Sequence, residues 1–418
     1  MHPRKKEEIV QRLVKIACQA EIPELGKSRP KTYHGEDGIF ALSKAAYGDY
    51  IELVRTYIKE EDWGPKFSEH YIRTALDRIL AKIGQQPTRA AIDPLVDQFI
   101  SELNAYSDEL AVYIAIHDLS MEVESLEIGN IILRKATDEF LERLAGRMDS
   151  IIHASEKPDP AKKSLGNLER KRFTRHKGRV FAEYHVVAEQ KRAVERAVAE
   201  CRRVLDLLWL FVNFPDSRAA SRFHISIEEI GEINMSVLCE NKFYAFNSRR
   251  RFLPFHIRGD VLGEMREMGI FEVSDLLKKP DRMLTDFEKT LIRGIHWYAA
   301  ARAQTESDNE FLNLVVCLET FFTPENKDPI APSIAEGVAI VLAQEASVRL
   351  GIKKTVKDLY GIRSGISHGG RKAVTDSDLT WLREAALYVT EWMIKNRKQF
   401  NSRQQLCDWI ELKRLGGA

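Results

Sequence analysis

The sequence predicts an α+β fold that is predominantly helical. Three observations carry that expectation. Apolar residues recur every three or four positions at both ends of the 418-residue chain, short alternating runs interrupt them in the middle, and the loops between the last helices are short. Three regions follow: a helical N-terminal region over 1–110, a strand-containing mixed domain over 111–285 and a C-terminal helical bundle over 286–418.

In the first region, Ile9, Leu13 and Ile16 form one helical stripe, Leu53 and Tyr57 a second, and Ile72, Leu76, Ile79 and Ile83 a third. Gly64-Pro65 and Gln86-Pro87 punctuate them. The pattern changes at Ala111. Val112–Ile116, Met121–Leu133, Arg179–Val187 and Ile233–Phe246 read as strands, with a turn at Gly129-Asn130. Helices are expected over Thr137–Ile151 and Glu189–Val212, the latter carrying Val194, Val198, Cys201 and Leu205 on one face. From Asp286 the strands stop. Thr285 is a natural cap for a helix over 286–304, Asn309–Phe322 follows, and Ser333–Leu350, Thr355–His368 and Ser377–Lys398 complete the bundle. Pro329–Pro332, Gly351 and Gly369-Gly370 are the expected breaks.

Composition narrows the function. Lys plus Arg total 63 and Asp plus Glu 62, so a net charge of +1 excludes a globally basic nucleic-acid coat while leaving room for local patches. The longest apolar run near the middle, Leu207–Val212, is far short of the roughly 18 residues of a membrane span. The charged start Met1-His2-Pro3-Arg4-Lys5-Lys6 leads into an amphipathic helix, and the expectation is a soluble cytoplasmic protein with no membrane partner. Five scattered cysteines, Cys18, Cys201, Cys239, Cys317 and Cys407, offer neither a disulfide framework nor a zinc site, and Cys201 and Cys317 read as core. There is no H-E-x-x-H, EF-hand loop or G-x-G-x-x-G, and Gly26-Lys27-Ser28 lacks the first glycine of a phosphate loop, Glu21 standing there. No metal and no cofactor is expected.

One short match misleads. Gly365-Ile366-Ser367-His368-Gly369 fits the G-x-S-x-G nucleophile elbow, but Val356, Leu359, Ile362 and Ile366 before and within it are helix-periodic rather than a buried strand. No histidine follows His368 to serve as the triad base, so the elbow reading fails.

The same stretch, Leu359 to Gly370, holds Arg363 and His368 as Arg-x4-His, with the polar Ser364 after the arginine and Gly369-Gly370 as a helix stop. With the preceding helix ending in Leu318-Glu319-Thr320-Phe321-Phe322, residues 286–400 resemble a HEPN domain (higher eukaryotes and prokaryotes nucleotide-binding). The resemblance is greatest to the C-terminal HEPN domains of bacterial phage-defence (Apea-like) proteins. It implies an endoribonuclease with Arg363 and His368 as the catalytic pair, a toxin-like role in antiviral defence, and a homodimer formed through the C-terminal bundle. The alternative is a non-catalytic HEPN module that binds RNA or nucleotides within a larger assembly; a purely structural scaffold is a third reading.

The chemistry of the pair stands on its own. RNA carries its nucleophile, the 2′-hydroxyl, beside each phosphate. His368, a histidine with an ordinary value near 6.5, can move protons near neutrality, and Arg363 offers a permanently charged planar fork for phosphate oxygens. Ser364 can hydrogen-bond the phosphate or hold Arg363. On a straight helix, positions five apart point about 140° apart, so a helix end near Gly369 is expected to swing the imidazole round. The ordinary alternative is that both cations merely favour the negative end of a helix.

Arg371 and Lys372 directly follow the motif and are expected to hold substrate. Residues 162–179 form a basic stretch in which Lys171, Arg172 and Arg175 surround Phe173; it reads equally as a phosphate-tracking loop or a solvated linker. Ser248-Arg249-Arg250-Arg251 has the same two readings. Trp381, Tyr388 and Trp392 share a helical face and are expected in the core or at a dimer face; Trp297-Tyr298 are expected in the core. The first two regions, lacking catalytic signatures, are the natural place for an inhibitory or activating partner to act.

Overall fold

The computed structural model describes residues 3–21, 31–35, 38–83, 87–153, 177–212, 224–228, 234–237, 246–249, 254–304, 306–323, 330–367 and 373–416. The fold is predominantly helical α+β, as the periodicity predicts, and the chain forms two compact units. One comprises Met1–Val112 with Tyr184–Val198, the other Tyr113–Glu183 with Ala199–Ala418.

In the first unit, helix α1 (Pro3–Cys18) leads through strands β1 (Ala20–Glu21), β2 (Lys31–Gly35) and β3 (Gly38–Leu42) into α2 (Lys44–Ile58), α3 (Glu69–Ile83) and α4 (Arg89–Ala105). The three predicted stripes meet in one core, where Leu13, Leu53, Tyr57 and Leu76 are inaccessible to solvent. The antiparallel sheet β1-β3-β2 was not expected in this region. Its strands are too short for alternation to register, and side chains anchor them. Lys31 Nζ donates to Asp77 Oδ2 at 2.8 Å, while the Tyr50 hydroxyl donates to Asp77 Oδ1 at 2.7 Å. Burial and the neighbouring Asp77 charge push the Tyr50 hydroxyl far above its ordinary value, so it stays a donor.

The middle of the chain contributes β4 (Glu109–Ile116), β5 (Leu119–Met121), β6 (Ser125–Ile128), β7 (Ile131–Lys135), α5 (Asp138–His153), β8 (Val180–Val187), α6 (Gln190–Val212), β9 (Asn234–Val237), β10 (Phe246–Arg249) and β11 (Phe255–Ile257). A four-stranded sheet has the order β4-β8-β7-β6, and the β6–β7 hairpin turns at Gly129, whose φ of 58° is a left-handed conformation that glycine adopts at no steric cost. Phe140, Leu141 and Leu144 of α5 pack against Phe181 of β8. Strands β5 and β11 form a separate parallel pair.

The rest of the second unit is α7 (Gly259–Met268), α8 (Ile270–Leu277), α9 (Asp286–Arg302), α10 (Ser307–Phe322), α11 (Ile330–Leu342), α12 (Ala346–Ser367), α13 (Asp376–Asn396) and α14 (Arg403–Arg414). Thr285 and Glu288 form a reciprocal capping box on α9, and Thr375 and Asp378 another on α13. Helix α10 lies close against α9 because residue 294 is glycine: a Cβ there would sit 2.1 Å from the ring tip of Phe321. Cys317 and Cys201 are fully buried, as expected of core thiols.

One helical expectation is corrected. Gly351 does not break the chain; α12 runs through it, and the break falls at Ala343–Glu345. A Cβ on Gly351 would meet nothing within 4 Å, so the glycine costs the helix only its propensity, about 1 kcal/mol. Of the aromatic stripe on α13, expected in the core or at a dimer face, Tyr388 is 51% exposed, while Trp392 packs against Trp409 with ring centres 5.1 Å apart. Tyr298 is buried as expected.

Within this unit His296 of α9 pairs with Asp206 of α6, Nδ1 to Oδ2, at 2.9 Å. The hydrogen bond to Asp206 raises the histidine above its ordinary 6.5. Burial raises Asp206 above its ordinary 3.8 despite the histidine. Both shifts have one sign: the folded state holds its protons longer than the unfolded chain. The histidine contribution is complete below about pH 6.5 and is lost as pH climbs through the raised folded value. Thermal melts of His296→Gln and the parent should therefore differ more at about pH 6 than at about pH 8.5, by less than about 1 kcal/mol because the imidazole is half exposed. An equal difference at both values would show that the pair does not titrate there.

Candidate active site

Helix α12 carries Arg363 on the face that buries Val356 and Leu359, seven and four residues earlier. The guanidinium is 32% exposed and the facing Glu319 of α10 is 18% exposed. Nη2 of Arg363 stands 3.5 Å from Oε1 of Glu319, an ion pair too long to be a hydrogen bond. One turn back on α12, the ring of Tyr360 lies beneath the guanidinium, 5.4 Å from its centre. Burial pushes the Tyr360 hydroxyl up, and the Glu319 charge and its hydrogen bond add to that. Tyr360 therefore stays neutral beside the carboxylate.

Arg363, Glu319 and Tyr360 thus form one cluster. Its charge is balanced, and its geometry is loose. Glu319 Oε1 and Thr323 Oγ1, one turn apart on the same side of α10, are buried atoms that make no hydrogen bond among the described residues. An arginine held by a long ion pair and a ring face keeps its five donors available, so a phosphate oxygen can replace the carboxylate at little cost.

Of the residues singled out from the sequence, Arg363 is in this cluster. Ser364 is the next residue on α12 and stands exposed, about 100° round the helix from Arg363. His368, Arg371, Lys372, Lys171, Arg172 and Arg175 lie outside the described residues. Sequence reasoning missed Glu319 and Tyr360. A signal for Glu319 existed: it is the one charged residue between Phe311 and Phe322, a stretch otherwise apolar apart from Asn313 and Thr320.

A second polar network braces the same helices. Glu310 at the start of α10 accepts from Arg302 of α9, and Arg383 of α13 grips it through both oxygens, Nε to Oε1 at 2.8 Å and Nη2 to Oε2 at 2.6 Å. The Arg302 and Glu310 side chains are 4% and 8% exposed. This network positions α10, and with it Glu319, by locking its first turn to both neighbours. No family model, no curated protein and no solved structure matches the chain. No helix among the described residues is long and apolar enough to cross a membrane.

Proposed function

We propose that the protein is a metal-independent endoribonuclease of HEPN type that cleaves RNA through its own 2′-hydroxyl. The observation that supports this reading is the half-buried Arg363, placed late on a bundle helix and held among the described residues by the long contact to Glu319 and the ring face of Tyr360. In the proposed reaction His368 takes the proton from the 2′-hydroxyl or gives one to the departing 5′-oxygen. Arg363 leaves Glu319 and steadies the phosphorane with two parallel hydrogen bonds, and Ser364 supports the phosphate from the exposed side of the helix. Arg371 and Lys372 would hold the strand, and Lys171, Arg172 and Arg175 would track its backbone. A homodimer through the C-terminal bundle would give one cleft two histidines, one as base and one as acid. A toxin-like effector in antiviral defence is the role such an activity fits.

Incubation of the purified protein with total RNA in excess EDTA tests the reading. The expected products end in 2′,3′-cyclic phosphate or its 3′-phosphate hydrolysis product, because the attacking oxygen belongs to the RNA. Ends with 5′-phosphate and 3′-hydroxyl would mean an activated water and a different enzyme. Glu319 gives a second test. If its carboxylate competes with phosphate for Arg363, Glu319→Gln should tighten RNA binding about threefold at low salt, roughly the worth of one part-exposed ion pair. Titration of a fluorescent non-cleavable RNA measures this; unchanged or weaker binding would remove Glu319 from the site.

A further inference from the structure

Away from Arg363, one pair of strands sets three chemistry-bearing side chains against each other. Strands β5 and β11 run parallel in the register Leu119↔Phe255, Ser120↔His256 and Met121↔Ile257. Leu119, Met121, Phe255 and Ile257 are all buried, so the two-residue period turns Ser120 and His256 to the opposite face. There Ser120 Oγ lies 2.7 Å from Nδ1 of His256. Glu122, two residues beyond Ser120 and on the same face, brings Oε1 to 4.0 Å from the other ring nitrogen, Nε2. Its second oxygen accepts the N–H of Gly259, the first residue of α7, at 2.9 Å, which orients the carboxylate. The strand start is fixed too. Asp118 holds a left-handed φ of 56°, rare outside glycine, and its carbonyl accepts the N–H of Phe255 at 2.7 Å.

A carboxylate beside Nε2 favours the tautomer with the proton there. Nδ1 is then an acceptor, and the serine hydroxyl must donate to it. That is the arrangement of an acid, a base and a nucleophile, assembled here from two adjacent strands rather than from a strand-to-helix turn. The site is open to reactants, with the His256 and Glu122 side chains 45% and 55% exposed. The proposed RNA chemistry uses none of these residues.

We propose that Ser120, His256 and Glu122 form a second, acyl-transfer site that takes small activated carboxylic esters. Ser120 Oγ attacks the carbonyl carbon as its proton passes to Nδ1 of His256. The carbon–oxygen bond to the alcohol then breaks, and the departing alkoxide takes that proton. Water, deprotonated by the same nitrogen, adds to the acyl-serine, the carboxylic acid leaves, and the hydroxyl of Ser120 is restored. Glu122 is a positioning residue that acts through His256.

The test uses the full chain and a fluorophosphonate probe, which phosphonylates an activated serine as fluoride leaves with the serine proton. Peptide mass spectrometry should find the label on Ser120, and the same protein should hydrolyse p-nitrophenyl acetate. Both His256→Ala and the bulkier His256→Asn should slow labelling by about a hundredfold or more, the range of general-base catalysis. Glu122→Gln, which keeps the oxygen facing Gly259, should lower the maximal labelling rate about tenfold without changing the probe's half-saturating concentration. A merely structural glutamate would not produce that split. Circular dichroism of each variant establishes that it is folded. Absence of label on Ser120 in the parent protein, or equal labelling rates in the parent and a folded His256 variant, overturns the proposal.

Discussion

Arg363→Ala should lower RNA cleavage by about a hundred- to a thousandfold, the usual cost of removing a group that meets charge developing in the transition state. His368→Ala should do at least as much, because among the residues of the proposed mechanism only this one moves protons near neutrality. Arg363→Lys should rescue little: the charge remains, but the planar fork that spans two phosphate oxygens is lost. None of these changes should unfold the protein. The Arg363–Glu319 contact is long and part-exposed, so its loss costs no more than about 1 kcal/mol. Gel assays of a defined RNA, with a thermal melt of each variant, separate the two effects. Full activity in a folded Arg363→Ala variant would dismiss Arg363 from the chemistry, and with it the proposed HEPN-type mechanism.

The largest effect on stability should come from Glu310. Its carboxylate is the shared anion between Arg302 and Arg383, and Glu310→Ala leaves the buried guanidinium of Arg302 without that partner. Removing one member of such a buried group destabilises by about 3–5 kcal/mol, because the remaining charge stays out of water uncompensated. Urea unfolding should show the midpoint falling with little change in slope. Combining Glu310→Ala with Arg302→Met should recover part of the loss, since the stranded charge is then gone. A cost below about 1 kcal/mol in the single variant would show that Arg302 reaches water when released.

Sequence periodicity revealed the elements better than the site. The stripes through Leu13, Leu53 and Leu76 are long enough for the 3.6-residue repeat to be counted, and they meet in one core. Strands of two to five residues such as β1, β2 and β3 offer no such repeat; tertiary anchors like the Lys31–Asp77 pair hold them, and pairing across 46 positions leaves no local trace. Gly351 illustrates the opposite error. Glycine permits a break without requiring one, and an exposed helical position tolerates it. At the candidate site, Arg363 was singled out by its spacing to His368, and the structure sets it against Glu319 and Tyr360. Tyr360 was not singled out, and Glu319 stood out only as a lone charge in an apolar stretch, because their pairing with Arg363 depends on two helices meeting at one point. The pairing of Ser120 with His256 was equally hidden, since 136 positions separate them and only the parallel register brings them face to face.

The unbroken course of α12 through Gly351 has a consequence for how this chain can vary. Lys353 meets Glu336 of α11 and Arg363 meets Glu319 of α10, and both cations ride on the same rigid cylinder. Each residue advances the helical phase by about 100° and the axis by about 1.5 Å. Losing or gaining one residue between Lys353 and Arg363 would leave the first contact in place and rotate the second away from its partner by more than a quarter turn. Substitutions at the exposed positions of that interval are individually mild, whereas length is not negotiable. The ten-residue interval works as a ruler, and a change in its count would disarm the arginine without touching it.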